Sequence, residues 1–377
     1  MPPIYLDYNA TTPVDPAVLD AMLPYLKGEF GNPSSSHAYG ARAHAAVEAA
    51  RAALAALLGC STEEVAFTGC ASESDNLAIK GIAEAQRDRG DHIITSQVEH
   101  PAVAATCRYL ERHGYRVTYL PVDAQGRVDP DDVSRAITPR TILITVMHAN
   151  NEVGTVQPIE AIGRIARMHS IPFHTDAAQA VGKIPARVDD LAVDLLTVAG
   201  HKFYAPKGVG ALYIRRGTRL ASLIHGAGHE DGRRAGTENV AHIVGLGEAS
   251  RLAAHDLAET GERLRTLRDR LHQGLMGCVD GVHLNGHPTE RLPNTLNVSF
   301  AGVDSTALLA ALPEVAASTG SACHSGRTEP SSVLLAMGVS PDLALGAVRF
   351  SLGRWTTEEE VDQAIHLVAG QVSALRM

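Results

Sequence analysis

Aromatic side chains, cysteines and long apolar runs are all scarce in this sequence. Phe, Trp and Tyr make up 4% of its 377 residues, with a single Trp. A core of that size must therefore be built mainly from Ala, Leu and Val packed between helices and sheet. The five cysteines, Cys60, Cys70, Cys107, Cys278 and Cys323, are odd in number and include no CxxC pair. In a chain this long that argues against a disulfide framework and against a structural zinc site, so no metal is expected. No apolar stretch is long enough to span a bilayer. The start, Met1-Pro2-Pro3-Ile4-Tyr5-Leu6-Asp7, lacks the basic-then-apolar design of a signal peptide. The expectation is a cytoplasmic protein with no membrane partner. An excess of positive charge is missing too. The formal net charge is -9 and the pI about 6.0, which does not suit a broad nucleic-acid surface, so direct nucleic-acid binding is not expected.

What is present is an ordinary globular composition, 45% hydrophobic and 20% charged, in a chain long enough for two domains. Short apolar runs alternate with amphipathic segments. The runs are Val65–Thr68, His92–Thr95, Val117–Leu120, Thr141–Val146, Phe173–Asp176, Asp194–Val198 and Gly210–Ile214. Strands alternating with helices predict a parallel or mostly parallel sheet covered on both faces. From Gly236 to Gln273 a long helical pattern runs with few breakers, and the strands expected after it, Val282–Leu284, Thr295–Phe300 and Val348–Ser351, suggest a smaller α+β domain. The division expected is 15–255 for the large domain, with 1–14 and 256–377 forming the small one.

In an open α/β sheet, ligands bind beyond the carboxyl ends of the strands. Ser72, His100, Asn151, Asp176 and Lys202 each follow an apolar run. The turn Thr68-Gly69-Cys70-Ala71-Ser72-Glu73-Ser74 brings small residues to a helix start, where backbone N–H groups and the helix dipole favour an anion. An ordinary capped helix would look the same. Asp176 can partner a protonated ring nitrogen or simply cap a helix. In Gly200-His201-Lys202-Phe203-Tyr204-Ala205-Pro206-Lys207, a lysine behind a buried strand can be desolvated, which lowers its pKa and suits it to condensation with a carbonyl. Lys207 is the neighbour it could be confused with. Cys323 lies in Ser318-Thr319-Gly320-Ser321-Ala322-Cys323-His324-Ser325-Gly326, a small, polar stretch with nothing apolar close by. An exposed loop cysteine is a liability unless used. The other four are read as structural. Arg349, in an expected strand, needs an anion, supplied by a ligand carboxylate or by a structural Asp or Glu.

Together these segments resemble the cysteine desulfurases of the bacterial iron–sulfur and nitrogen-fixation systems, in the class V aminotransferase group. The resemblance runs nearly end to end. It includes Tyr5-Leu6-Asp7-Tyr8-Asn9-Ala10-Thr11-Thr12-Pro13, Gly31-Asn32-Pro33-Ser34-Ser35-Ser36-His37, Met147-His148-Ala149-Asn150-Asn151-Glu152-Val153-Gly154, Arg234-Ala235-Gly236-Thr237-Glu238-Asn239 and Val348-Arg349-Phe350-Ser351-Leu352-Gly353-Arg354. It implies the type I fold of aminotransferases that use pyridoxal phosphate, with a mostly parallel mixed sheet in the large domain. By the same resemblance Lys202 is the lysine that condenses with pyridoxal phosphate, Asp176 the partner of the ring nitrogen, Gln179 the donor to the ring hydroxyl and His100 the imidazole on the ring face and an acid or base. Ala71, Ser72 and His201 would hold the phosphate, and Thr237 would reach it across a homodimer interface. Asn9, Asn151 and Arg349 match substrate-binding positions, Asn151 also facing the cofactor. Cys323 matches the nucleophile that takes sulfur from L-cysteine as a persulfide, releasing L-alanine.

The residues after Cys323 resemble the longer-loop branch of that family, which hands sulfur to partner proteins: an iron–sulfur scaffold, or a protein of tRNA thiolation or DNA phosphorothioation. Three positions depart from the common pattern. Cys70 stands where Gly or Ala is usual, Ser72 where Thr is common, and Ala199 where a phosphate-binding Ser is frequent. A lost neutral hydrogen bond costs about 1 kcal/mol, so the cofactor is expected to stay bound, less tightly. His324 could lower the thiol pKa of Cys323 or be a solvated neighbour. The alternatives are a selenocysteine lyase, which needs less help from a thiol, an aminotransferase, which needs no loop cysteine, and a sulfur-carrying scaffold without catalysis, which would not keep Lys202, Asp176, His100 and Arg349 together.

Overall fold

A computed structural model describes residues 2–319, 322–324 and 327–376, with the backbone only for 322–324, 327 and 328. Fifteen strands are described. After β1 (Ile4–Tyr5) come seven that build one sheet: β2 (Val65–Thr68), β3 (His92–Ser96), β4 (Arg116–Leu120), β5 (Thr141–Thr145), β6 (Phe173–Asp176), β7 (Leu195–Ala199) and β8 (Gly210–Ile214). Their order is β2-β8-β7-β6-β5-β3-β4, and β8 alone runs antiparallel to its neighbours. β2, β3, β5, β6 and β7 therefore end on the same edge. Every residue of these five strands is buried, which is why they read as continuous apolar or small-residue runs without alternation.

Helices cover both faces. On one, helices Ala38–Leu58 and Val240–Cys278 bury Val47, Leu54, Ile243 and Leu246 against Phe67, Ile144 and Val198. On the other, helices Ala71–Ala85 and Pro101–Glu111 bury Leu77, Ile82, Val103 and Cys107 against Ile93 and Leu143. The remaining strands are β9 (Val282–Asn285), β10 (Thr295–Phe300), β11 (Val315–Ala316), β12 (Ser318–Thr319), β13 (Ala322–His324), β14 (Arg327–Glu329) and β15 (Ala347–Ser351). β12-β15-β10-β9 form a second, antiparallel sheet, while β1 pairs with β11 and β13 with β14.

This second sheet has its own core, which contains Phe300, Phe350, Val361 and Val368, and also Ile4 and Leu6. The helix Val240–Cys278 serves both cores: Ile243, Leu246 and Ala249 face the first, and Leu264, Leu267, Leu271 and Leu275 the second. We propose that the domains divide at 14/15 and 255/256, midway along this helix, with the N-terminal strand joining the small domain. Among the described residues, no helix is long and apolar enough to cross a membrane.

One ion pair fixes the segment carrying Thr237. Arg51 donates to Glu230 through Nη1 (2.6 Å) and Nη2 (3.1 Å), and Glu230 also accepts from the Phe67 N–H at 2.8 Å. The two side chains are 11% and 2% exposed. Glu230 and Asp231 have φ values of 50° and 55°, a strained backbone that the bidentate pair holds in place. Removing Glu230 would leave the Phe67 N–H unpaired and Arg51 with only the exposed Glu48, 3.0 Å away, as a charged partner. Glu230→Ala is therefore expected to lose about 3–5 kcal/mol in denaturant unfolding. A loss within experimental error of zero would show that the pair is solvated.

Candidate active site

At the shared edge, the segments that follow β2, β3, β5, β6 and β7 line a pocket of about 360 Å³, closed by the N-terminal segment and by β15. Asn9, Ala71, Ser72, His100, Asn151, Asp176, Gln179, His201, Lys202 and Arg349 all line it, as do Cys70 and Ala199. A larger cleft of about 700 Å³ lies elsewhere, beside Arg51 and Glu230. We place the site in the smaller pocket because the residues at the strand ends converge there. Thr237 stays outside it, in another cleft with Gly69, Gly208 and Arg234. The side chain of Cys323 lies outside the described residues, and its backbone is strand β13.

Lys202 sits in the single turn Gly200–Lys202 that follows β7. Its Nζ donates to the carbonyl oxygens of Asn9 (2.6 Å) and Ala10 (2.8 Å). Burial, helped by nearby Arg349 and opposed by Asp7 and Asp176, pulls its pKa down to about 8. The amine is thus partly neutral, and nucleophilic, near physiological pH.

Asp176 ends β6. Its Oδ1 accepts from the Ala178 N–H at 2.9 Å. Burial raises its pKa, and the Ala178 bond, His100 and Lys202 partly offset that. Behind it lies Asp75, from the helix Ala71–Ala85, with neither carboxylate oxygen hydrogen-bonded. Burial and the charge of Asp176 push its pKa well up. Asp75, His100 and Asp176 each bring one polar atom within 4.8 Å of the others. The two carboxyls and the imidazole thus form one cluster in the pocket that also holds Lys202. Asp75 escapes sequence reading because it looks like an ordinary polar residue of the first helical turns.

His100 caps the helix Pro101–Glu111, its Nδ1 accepting from the Ala102 N–H at 3.1 Å. That leaves the proton on Nε2 in the neutral ring. Burial, with Lys202, lowers its pKa against the pull of Asp176. His201 is likewise neutral, burial taking it down to about 4. At the other end of the pocket, Cys70 is the N-cap of Ala71–Ala85 and makes no side-chain cap bond. The helix start therefore keeps open amides for an anion. Ala199 adds no hydroxyl there.

Of the two options that the sequence left open, Arg349 meets the structural acid. Its Nη2 donates to Asp7 Oδ1 at 2.7 Å and to Ser318 Oγ at 3.1 Å, and its Nη1 to the Asn151 carbonyl at 2.9 Å. Nε is buried without a partner. Asn9 is different. Its amide donates to Thr295 Oγ1 and the Asn151 carbonyl and accepts from Asn294 and Lys183. Those four bonds use the amide's full capacity, so its side chain supports the site from behind. The exposed Cys70 and Cys278 depart from the reading of the other cysteines as buried structural residues.

The chain matches the family model "Aminotransferase class-V" over residues 4–364. It is 49% identical over 375 residues to the cysteine desulfurase IscS of Dictyoglomus turgidum (strain DSM 6724 / Z-1310), covering 99% of this chain and 95% of that one. Among solved structures it is similar to a NifS-like protein (TM-score 0.93, 40% identity, 99% of this chain and 100% of that one). It is also similar to SspA in complex with cysteine (TM-score 0.84, 41% identity, 94% and 99%).

Labelling of Lys202 by an amine-specific reagent, followed by peptide mass spectrometry, is expected to be half-maximal near pH 8. A labelling rate still climbing toward the unperturbed lysine value of about 10.4 would contradict the desolvated amine.

Proposed function

We propose, from the premise that this chain belongs to the class V aminotransferase family and is a cysteine desulfurase, how its residues divide the work. The observation that carries the reading is one pocket holding a lysine lowered to about pH 8, two buried carboxyls beside an imidazole and a helix start whose N-cap makes no side-chain bond. These are complementary to one small molecule with a carbonyl, a basic ring nitrogen and a phosphate, so the residues present fit pyridoxal phosphate. Lys202 would hold its carbonyl carbon, Asp176 its ring nitrogen, Gln179 its ring hydroxyl and His100 its ring face. The amides at Ala71 and Ser72, with His201, would hold its phosphate. When bound, the cofactor supplies an electron sink for the charge left at the substrate α-carbon.

The chain's own residues do the rest. The guanidinium of Arg349, which lines the pocket, takes the carboxylate of L-cysteine, with Asn151 beside it. The Asp7 and Asn151 bonds to the two Nη atoms hold the guanidinium fixed while it does so. The Lys202 amine takes the proton from the substrate α-carbon. His100, neutral with its proton on Nε2, can deliver one proton or accept one. The Cys323 thiolate attacks the substrate sulfur. Its electron pair makes the new S–S bond, the C–S bond breaks toward the substrate β-carbon, that carbon is protonated, and the α-carbon regains its proton from Lys202. L-Alanine leaves and Cys323 keeps a persulfide. The acceptor is a second molecule, and we propose a protein acceptor, of iron–sulfur, tRNA-thiolation or DNA-phosphorothioation chemistry. SspA and IscS stand among the similar proteins and support that range. Thr237 lies outside its own chain's pocket, which supports a homodimer in which the second copy supplies it. A cytoplasmic location is part of the same reading.

Sulfide and alanine released from L-cysteine in the presence of a thiol reductant test this directly. Wild type should release the two in equal amounts. Cys323→Ala should keep the visible absorbance of bound cofactor and lose sulfide release, whereas Lys202→Ala should lose the lysine-linked absorbance. Undiminished turnover in Cys323→Ala would remove Cys323 from its role.

A further inference from the structure

A second lysine stands behind the first. Lys183 follows Gln179 by one turn, and its Nζ donates to Gln179 Oε1 at 2.6 Å and to Asn9 Oδ1 at 3.1 Å. The amides it meets are themselves committed. Gln179 Nε2 donates to the Asn9 carbonyl at 2.9 Å, the same oxygen that Lys202 holds at 2.6 Å. Gln179 also lines the pocket.

An amide side chain can present either its oxygen or its NH₂ group to a neighbour, and the surrounding hydrogen bonds decide which. Charged or neutral, a lysine amine brings at least two N–H donors, and here they meet the oxygens of both amides. We propose that Lys183 is a positioning residue: its bond to Gln179 Oε1 acts with the Asn9 carbonyl, which accepts from Gln179 Nε2, to hold this amide with its second N–H toward the cofactor pocket as a donor.

The charge balance agrees. Burial, reinforced by Lys202 and Arg349, lowers the Lys183 pKa well below the usual range. His201 feels the same charge, and Tyr8 and Tyr204 line the small cavity beside the amine. Its two bonds go to amide oxygens and neither to a carboxylate. A neutral amine has two N–H bonds, and the two amide oxygens accept both. The inference rests on the pyridoxal phosphate reading above. It adds a reason why the donor to the ring hydroxyl is an N–H group with one orientation.

A donor to that oxygen stabilises its negative charge and lowers the pH at which the bound cofactor loses its proton. The test is the pH midpoint of the visible absorbance of the loaded protein, for wild type, Lys183→Met, Gln179→Leu and the double variant. Losing a hydrogen bond to a charged group is expected to raise the midpoint by about one pH unit in each single variant. The double variant should shift no further than either, because both substitutions remove one donor. An unchanged midpoint in Lys183→Met, or shifts that add in the double variant, overturns the proposal. Melting of the unloaded proteins checks folding. If Lys183→Met does not fold, Lys183→Gln, whose amide still donates, must keep the wild-type midpoint, and a shift there overturns the proposal too. A wild type without visible absorbance would instead overturn the pyridoxal phosphate reading on which the proposal stands.

Discussion

The site depends on Asn9. Its N–H donates to Ser351 Oγ of β15, and its side chain bonds Thr295, Asn294 and the Asn151 carbonyl. Its carbonyl receives Lys202 and Gln179 together. One residue of the N-terminal segment thus joins the small antiparallel sheet to the loops beyond β5, β6 and β7. It is 1% exposed, so each of these bonds is made out of water, where an unmade bond carries its full desolvation cost. Shifting one sheet against the other would break several at once. That rigidity keeps the amine of Lys202 and the guanidinium of Arg349 in a fixed relation, though they come from different sheets.

Around this hub the pocket holds charges in an unbalanced state. Asp75 and Asp176 are buried, while Lys183 and Lys202 are half-buried and neither amine is hydrogen-bonded to a carboxylate. Outside the pocket, Arg51 and Glu230 pair with each other, and within it Arg349 pairs with Asp7. Desolvation shifts an unpaired group toward its neutral form, which raises the acids and lowers the lysines. The result is a pair of carboxyls raised above the usual acid range opposite an amine lowered to about 8. Such an arrangement costs stability in the empty protein and is repaid when a ligand of matching charge binds.

Much of this was legible in the sequence because strand ends are legible. A buried strand followed by Gly, Asp, His or Lys marks the functional edge of a parallel sheet, and Ser72, His100, Asn151, Asp176 and Lys202 do line one pocket. The resemblance supplied the roles that position alone leaves open. What pattern reading missed depends on long-range pairing. Lys183 looks like a surface lysine in Gly182-Lys183-Ile184-Pro185 and is drawn inward only because Asn9, 174 residues away in sequence, meets it. Asp75 looks like any polar residue of a helix start. Asp7 gave no sign that it would take one face of Arg349. The long helix ends at Cys278 rather than Gln273. Gly274 there is no breaker: a Cβ at that position would lie 2.3 Å from the Ile365 side chain, so the glycine permits close packing of the C-terminal helix.

The central claim is that Lys202, and no other lysine, holds the cofactor's carbonyl carbon. Borohydride reduction of the pyridoxal phosphate-loaded protein, followed by peptide mass spectrometry, tests it most directly. The account predicts one pyridoxyl group per chain, on Lys202, with Lys183 and Lys207 unmodified. A label on Lys207 or Lys183, or none at Lys202 in protein that has bound the cofactor, would contradict it.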